Sequence, residues 1–186
     1  LGIIGMGRIG QGIARRAAHG FGMEGLYYNR TRLPPELEAE CKARHVGKDV
    51  LLANADHVVL VLPYTPDNHH TIGAQELARM KPTATLVNIA RGGIVDEAAL
   101  AAALREGRLA AAGLDVFEGE PAVHPDLLTL PNVVLTPHIA SATVATRRAM
   151  ANLAADNLIA FFDGRGPLTP VNQLPGADEF LYQNGL

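Results

Sequence analysis

Short, continuously apolar runs alternate with helical patterns from one end of the chain to the other. That alternation limits the fold more than any other feature. The run 57–62 (HVVLVL) lacks polar alternation after its first residue, as a strand covered on both faces requires. Residues 1–4, 26–28, 84–89, 111–116 and 133–136 read as further strands. Between them, residues 8–20 place Ile9, Ile13, Ala14, Ala17 and Ala18 at helical spacing. Helices are also expected over 36–44 (after Pro34-Pro35), 49–55, 73–80, 96–105 and 143–162, the last ended by Gly164. Strands alternating with helices predict an α/β fold, a doubly wound parallel sheet with right-handed crossovers. In such a sheet the first strand is usually central.

A length of 186 residues with 48% apolar content suits one ordinary domain with a buried core. The expected division is a domain over 1–163 and a Pro-, Gly- and Asn-rich tail over 164–186. Net charge is −3, with both signs scattered, so no nucleic-acid footprint is expected. One cysteine, Cys41, excludes an internal disulfide and a cysteine-rich metal site. No metal and no membrane partner are expected: no run approaches the ~18 apolar residues of a span. No signal core opens the chain, and a cytoplasmic location is expected. The sequence starts with Leu1 directly on the first strand, and reads as a piece of a larger protein.

At the junction of the first strand and first helix stands Gly5-Met6-Gly7-Arg8-Ile9-Gly10, a G-x-G-x-x-G loop in its proper context. Gly5 would allow the tight turn, Gly7 the approach of a pyrophosphate, and Gly10 the packing of helix on strand. Helix N–H groups and Arg8 would hold the phosphates. Gly5, Gly7, Arg8, Ile9 and Gly10 are therefore expected to bind a dinucleotide. The second strand ends in Tyr28-Asn29-Arg30-Thr31-Arg32, without the acidic residue that bonds a ribose 2′-OH. Asn29, Arg30 and Thr31 suit a 2′-phosphate instead. NADP is expected ahead of NAD, although Arg30 and Arg32 also read as ordinary surface charges.

Ligands of open α/β sheets sit beyond the carboxyl ends of the strands. Of seven histidines, only His138 directly follows a buried strand. His57 begins one; His69, His70 and His124 read as solvated loop residues. The same filter selects Arg91, Asp115, Glu118 and Glu120, while Asp96 reads as a helix cap. A carboxylate beside an imidazole orients the ring and supports its charge. A guanidinium offers a planar fork for a carboxylate substrate.

The ordered set GMGRIG, NIARGGIVDEAAL, GLDVFEGEP and TPHIAS resembles the cofactor domain of the D-isomer-specific 2-hydroxyacid dehydrogenases. The likeness spans residues 5–141 and continues through the last helix to Pro170-Val171-Asn172. It implies a Rossmann domain in which Arg91 binds substrate, Glu120 pairs with the catalytic histidine, and His138 gives and takes the proton. It puts Asp115 near the nicotinamide amide, and Pro63 and Ile89 on strand-end loops that touch the cofactor. Formate dehydrogenases of the superfamily carry Gln where Glu120 stands, so Glu implies keto-acid chemistry. The YYNRTR stretch resembles NADP-preferring glyoxylate and hydroxypyruvate reductases. The acidic ribose residue usual in phosphoglycerate dehydrogenases is missing here. The family also implies a homodimer. It places a substrate domain, of about 100 residues, before the first strand. The expected function is reduction of a small 2-keto acid by NADPH. The alternative is a dinucleotide-sensing corepressor-like binding protein of the same fold.

Overall fold

Seven strands form one all-parallel sheet in the order β3-β2-β1-β4-β5-β6-β7. They are β1 (Gly2–Ile4), β2 (Gly25–Tyr28), β3 (Ala43–His45), β4 (His57–Leu60), β5 (Thr85–Asn88), β6 (Ala111–Leu114) and β7 (Val133–Leu135). The helices are α1 (Arg8–Phe21), α2 (Pro35–Cys41), α3 (Lys48–Asn54), α4 (Ala74–Leu77), α5 (Glu97–Arg105) and α6 (Val144–Phe162). This computed structural model describes residues 1–170. The chain divides into two compact units, Leu1–His138 and Ile139–Leu186.

In the first unit, strand alternation feeds two cores. Ile4, Val58, Leu60 and Leu86 pack with Leu51, Leu52, Leu77, Leu100 and Leu104. Ile3, Met6 and Tyr27 pack on the other face with Ala14 and Cys41. Small residues let α1 lie close: Gly10, Ala14, Ala17 and Ala18 form its buried stripe. Gly22, left-handed at φ 66°, ends it. β1 lies between β2 and β4, so strand order reverses there and a crevice opens above their carboxyl ends.

One expected element differs. The helix forecast over 36–44 stops at Cys41, Lys42 takes the left-handed conformation (φ 47°), and Ala43–His45 becomes the sheet's edge strand beside β2. Three residues including Arg44 and His45 carry no apolar period. What admits the strand is the bare Gly25, where a Cβ would stand 2.9 Å from that of Ala43.

In the second unit, Thr143 caps α6 by accepting the Thr146 N–H at 3.1 Å. Asn157 holds the returning chain through both Thr169 Oγ1 (3.0 Å) and its N–H (2.9 Å). Gly164 leaves the helix at φ 74°. Of the expected tail over 164–186, residues 171–186, with Val171-Asn172 of the family resemblance, lie outside the described residues. Among the described residues no helix is long and apolar enough to cross a membrane.

Candidate active site

Four strand ends, those of β4 to β7, supply the groups that meet in one cleft of about 690 Å³, lined among others by Pro63, Ile89, Arg91, Glu118, Glu120 and His138. Pro137 and a tight turn, closed by the His138 N–H donating to Thr136 O at 3.0 Å, follow β7. His138 adopts φ 55°, a conformation uncommon for a residue with a Cβ, and one that sets the direction of its ring. His138 Nδ1 lies 2.9 Å from Glu120 Oε2. The other carboxylate oxygen accepts the Phe117 N–H at 3.0 Å. The His138 hydrogen bond holds the Glu120 carboxyl below the usual carboxylate range, helped by the Phe117 N–H and by the charge of Arg91.

Arg91 follows β5 and is held by residues to which the sequence reading assigned no role. Asn88, 1% exposed, donates its Nδ2 to Arg91 O at 3.0 Å and accepts the Ala90 N–H at 3.0 Å. The turn then presses against the loop after β6. A Cβ on Gly92 would lie 1.8 Å from the carbonyl carbon of Phe117. Glu97, 6% exposed at the start of α5, accepts the Glu118 N–H at 2.7 Å and a backbone bond from His124. Burial pushes the Glu97 carboxyl upward against those bonds. One buried side chain thus fixes both sides of the segment carrying Glu120. Asp96 caps α5 as expected, accepting the Ala99 N–H at 3.0 Å.

The cofactor end has its own logic. Gly5 sits at φ 102°, and a Cβ there would meet the Val61 and Leu62 backbone at 2.7 Å. On Gly10 it would meet Gly5 O at 2.5 Å, so helix and strand approach as the motif demands. Gly7 has open space where a Cβ would point, and α1 begins there without a side-chain cap. These free N–H groups fit a pyrophosphate. Asn29 has a structural duty: its Oδ1 accepts the Met6 N–H at 2.7 Å. Arg32 is committed to Glu38 through two bonds of 2.9 and 2.7 Å. Exposed Arg8 and Arg30 form no ion pair among the described residues. Thr31 is exposed beside Arg30.

Ile9, like Pro63 and Ile89, lines the cleft. Asp115 is not among its lining residues; it is 6% exposed and accepts the Thr136 hydroxyl at 2.6 Å. His69 and His70 lie in a loop and are open to solvent, as expected, and both face Glu118. The missed residues Asn88 and Glu97 share a signal that only tertiary structure makes legible: a polar side chain at the last position of a strand or the first of a helix.

A glycine loop below and an Arg–Glu–His cluster above are the features of a nicotinamide-dependent dehydrogenase domain. The family model for the D-isomer specific 2-hydroxyacid dehydrogenase, NAD binding domain, matches residues 1–140, and the chain belongs to that family. It is 57% identical over 173 residues to a glyoxylate reductase of Thermococcus gammatolerans, covering 93% of this chain and 51% of the relative. A glyoxylate/hydroxypyruvate reductase B of Enterobacter agglomerans is 51% identical over 173 residues (92% and 53% covered). D-mandelate dehydrogenase of Rhodotorula graminis superposes with a TM-score of 0.88 at 37% identity (94% and 51%). An NADPH-dependent glyoxylate/hydroxypyruvate reductase of Sinorhizobium meliloti, solved with NADP and malonate, gives 0.84 at 42% identity (91% and 52%). The chain spans about half the length of the curated relatives it matches.

Proposed function

We propose that this chain is the cofactor half of an NADPH-dependent reductase that converts a small 2-keto acid, glyoxylate or hydroxypyruvate, to the D-2-hydroxy acid. The observation that carries the reading is the 2.9 Å contact of His138 with Glu120, in a cleft that Arg91 also lines. With Nδ1 turned to Glu120, the imidazole has Nε2 left for substrate. A reduced nicotinamide bound there supplies a hydride to the keto carbon. His138 gives its Nε2 proton to the resulting alkoxide oxygen, and Glu120 supports the imidazolium beforehand. Arg91 pairs with the substrate carboxylate and polarises the adjacent carbonyl. Gly5, Gly7, Arg8, Ile9 and Gly10 hold the dinucleotide, with Pro63, Ile89 and Asp115 toward its nicotinamide end. The unpaired Arg30, with Thr31, supports NADP over NAD. The buried Cys41 thiol fits a reducing, cytoplasmic setting.

The test is His138→Ala in the full-length enzyme, assayed with NADPH and glyoxylate or hydroxypyruvate. Loss of general acid catalysis lowers kcat by about 10²–10⁴-fold with NADPH affinity kept. A fall of less than about tenfold removes His138 from the acid role.

A further inference from the structure

A second group of ligating side chains, to which the proposed reduction gives no role, meets at the rim of the cleft. His69 and His70 lie on the loop after β4, and Glu118 on the loop after β6. We propose that His69, His70 and Glu118 form a binding site for a divalent transition-metal ion of the Zn²⁺ class that bridges these two loops.

Each carboxylate oxygen faces one imidazole: His70 Nε2 is 2.8 Å from Oε2, and His69 Nε2 is 3.7 Å from Oε1. All three potential ligand atoms fall within 4.8 Å of one another. With metal–nitrogen and metal–oxygen bonds of about 2.0–2.2 Å, neighbouring ligands of a tetrahedral ion stand roughly 3.3 Å apart. The two observed separations bracket that value. The rings stack at 3.7 Å with a 23° tilt, so both Nε2 atoms stand side by side. A turn of the exposed His69 ring aims the two lone pairs at one point.

The surroundings are those of a ligand site. Tyr64 Oη lies 3.2 Å from His69 Nδ1. With the hydroxyl oxygen accepting the Nδ1 proton, Nε2 is left free for an ion, the arrangement found behind metal-bound histidines. The backbone under each ligand is fixed before any ion arrives. The His70 N–H donates to Gly93 O at 2.8 Å, and the Glu118 N–H to the buried Glu97 at 2.7 Å. Among the described residues no Lys or Arg pairs with Glu118, so no fixed cation competes with an ion. Two imidazoles and one carboxylate favour Zn²⁺, Co²⁺, Ni²⁺ or Cu²⁺ over Mg²⁺ or Ca²⁺. Three protein ligands leave a fourth position for water or an anion.

The test is calorimetric titration of the metal-free chain with ZnCl₂ in a non-chelating buffer, with Co²⁺ ligand-field absorption as an optical check. One saturable site is expected. Its affinity falls roughly tenfold or more in His69→Ala and in Glu118→Gln, weakens as pH drops because protons compete for the ligands, and persists in Glu120→Gln. His69 is exposed, so its replacement leaves the fold intact. No saturable uptake, or uptake that survives both His69→Ala and Glu118→Gln, overturns the proposal. So does uptake that Glu120→Gln abolishes. None of these outcomes depends on turnover, so the site stands or falls apart from the reductase reading.

Discussion

In residues 28–32 each polar side chain has a different duty. Asn29 supports the glycine loop, Arg32 is locked to Glu38, and Arg30 with Thr31 is exposed, the pair proposed above to meet the ribose 2′-phosphate of NADP. A hydrogen bond to a charged group contributes about 1.5–3 kcal/mol, or roughly ten- to a hundredfold in selectivity. Arg30→Asp should therefore lower the NADPH/NADH ratio of kcat/KM by about that factor, measured by steady-state kinetics of the full-length enzyme. An unchanged ratio would show that Arg30 is a surface charge. The sequence alone pointed to Arg30 because no acidic residue ends β2. It could not divide the stretch further, because the partners of Asn29 and Arg32 become neighbours only in the folded sheet. His138, Glu120 and Arg91 were legible from the rule that ligands lie beyond strand ends. Asn88 and Glu97 were not, since they act on backbone rather than on ligand.

At the scale of elements, the site is two turns and one helix start fastened together. Glu97 accepts backbone N–H groups on both sides of the segment that carries Glu120. Removing it leaves the part-buried Glu118 N–H without its acceptor, at a cost of about 1–3 kcal/mol. Glu97→Ala in the full-length enzyme should lower Tm and cut kcat/KM about tenfold while leaving NADPH binding near its original value. Glu97→Gln, which keeps one acceptor oxygen, should recover much of both. Equal activity and Tm in parent and Glu97→Ala would show that the loop holds its shape without this anchor. The parallel order of strands followed from their alternation with helices, yet β3 escaped. A three-residue edge strand is specified by pairing with Gly25 and not by its own composition.

For the molecule as a whole, acid should act through carboxylates whose ionised form the fold favours. Arg32, and then Tyr27, pull the Glu38 carboxyl down to about 2. Lys81 lowers Asp56, and His138 lowers Glu120. A depressed folded pKa means stability that is present above the ordinary value and lost as pH falls through the folded one. Thermal unfolding should thus shift to lower Tm between about pH 4.5 and 2, and Glu38→Gln should flatten that part of the curve. A variant as acid-sensitive as the parent would place the effect elsewhere. Self-association is expected too: α6 exposes Val144, Met150, Leu153, Leu158 and Ile159, apolar area of a kind that marks interaction surfaces. Sedimentation equilibrium should report a homodimer; a monomer at micromolar concentration would refute it. The contact of Gly92 with Phe117 bears on redesign. With no room for a methyl group between them, the arginine's turn and the carboxylate's loop must travel as one piece. On the proposed function, re-aiming the guanidinium to suit a bulkier acid would drag Glu120 and His138 out of line. Substrate range should be altered instead at Pro63 and Tyr64, exposed side chains that line the same cleft.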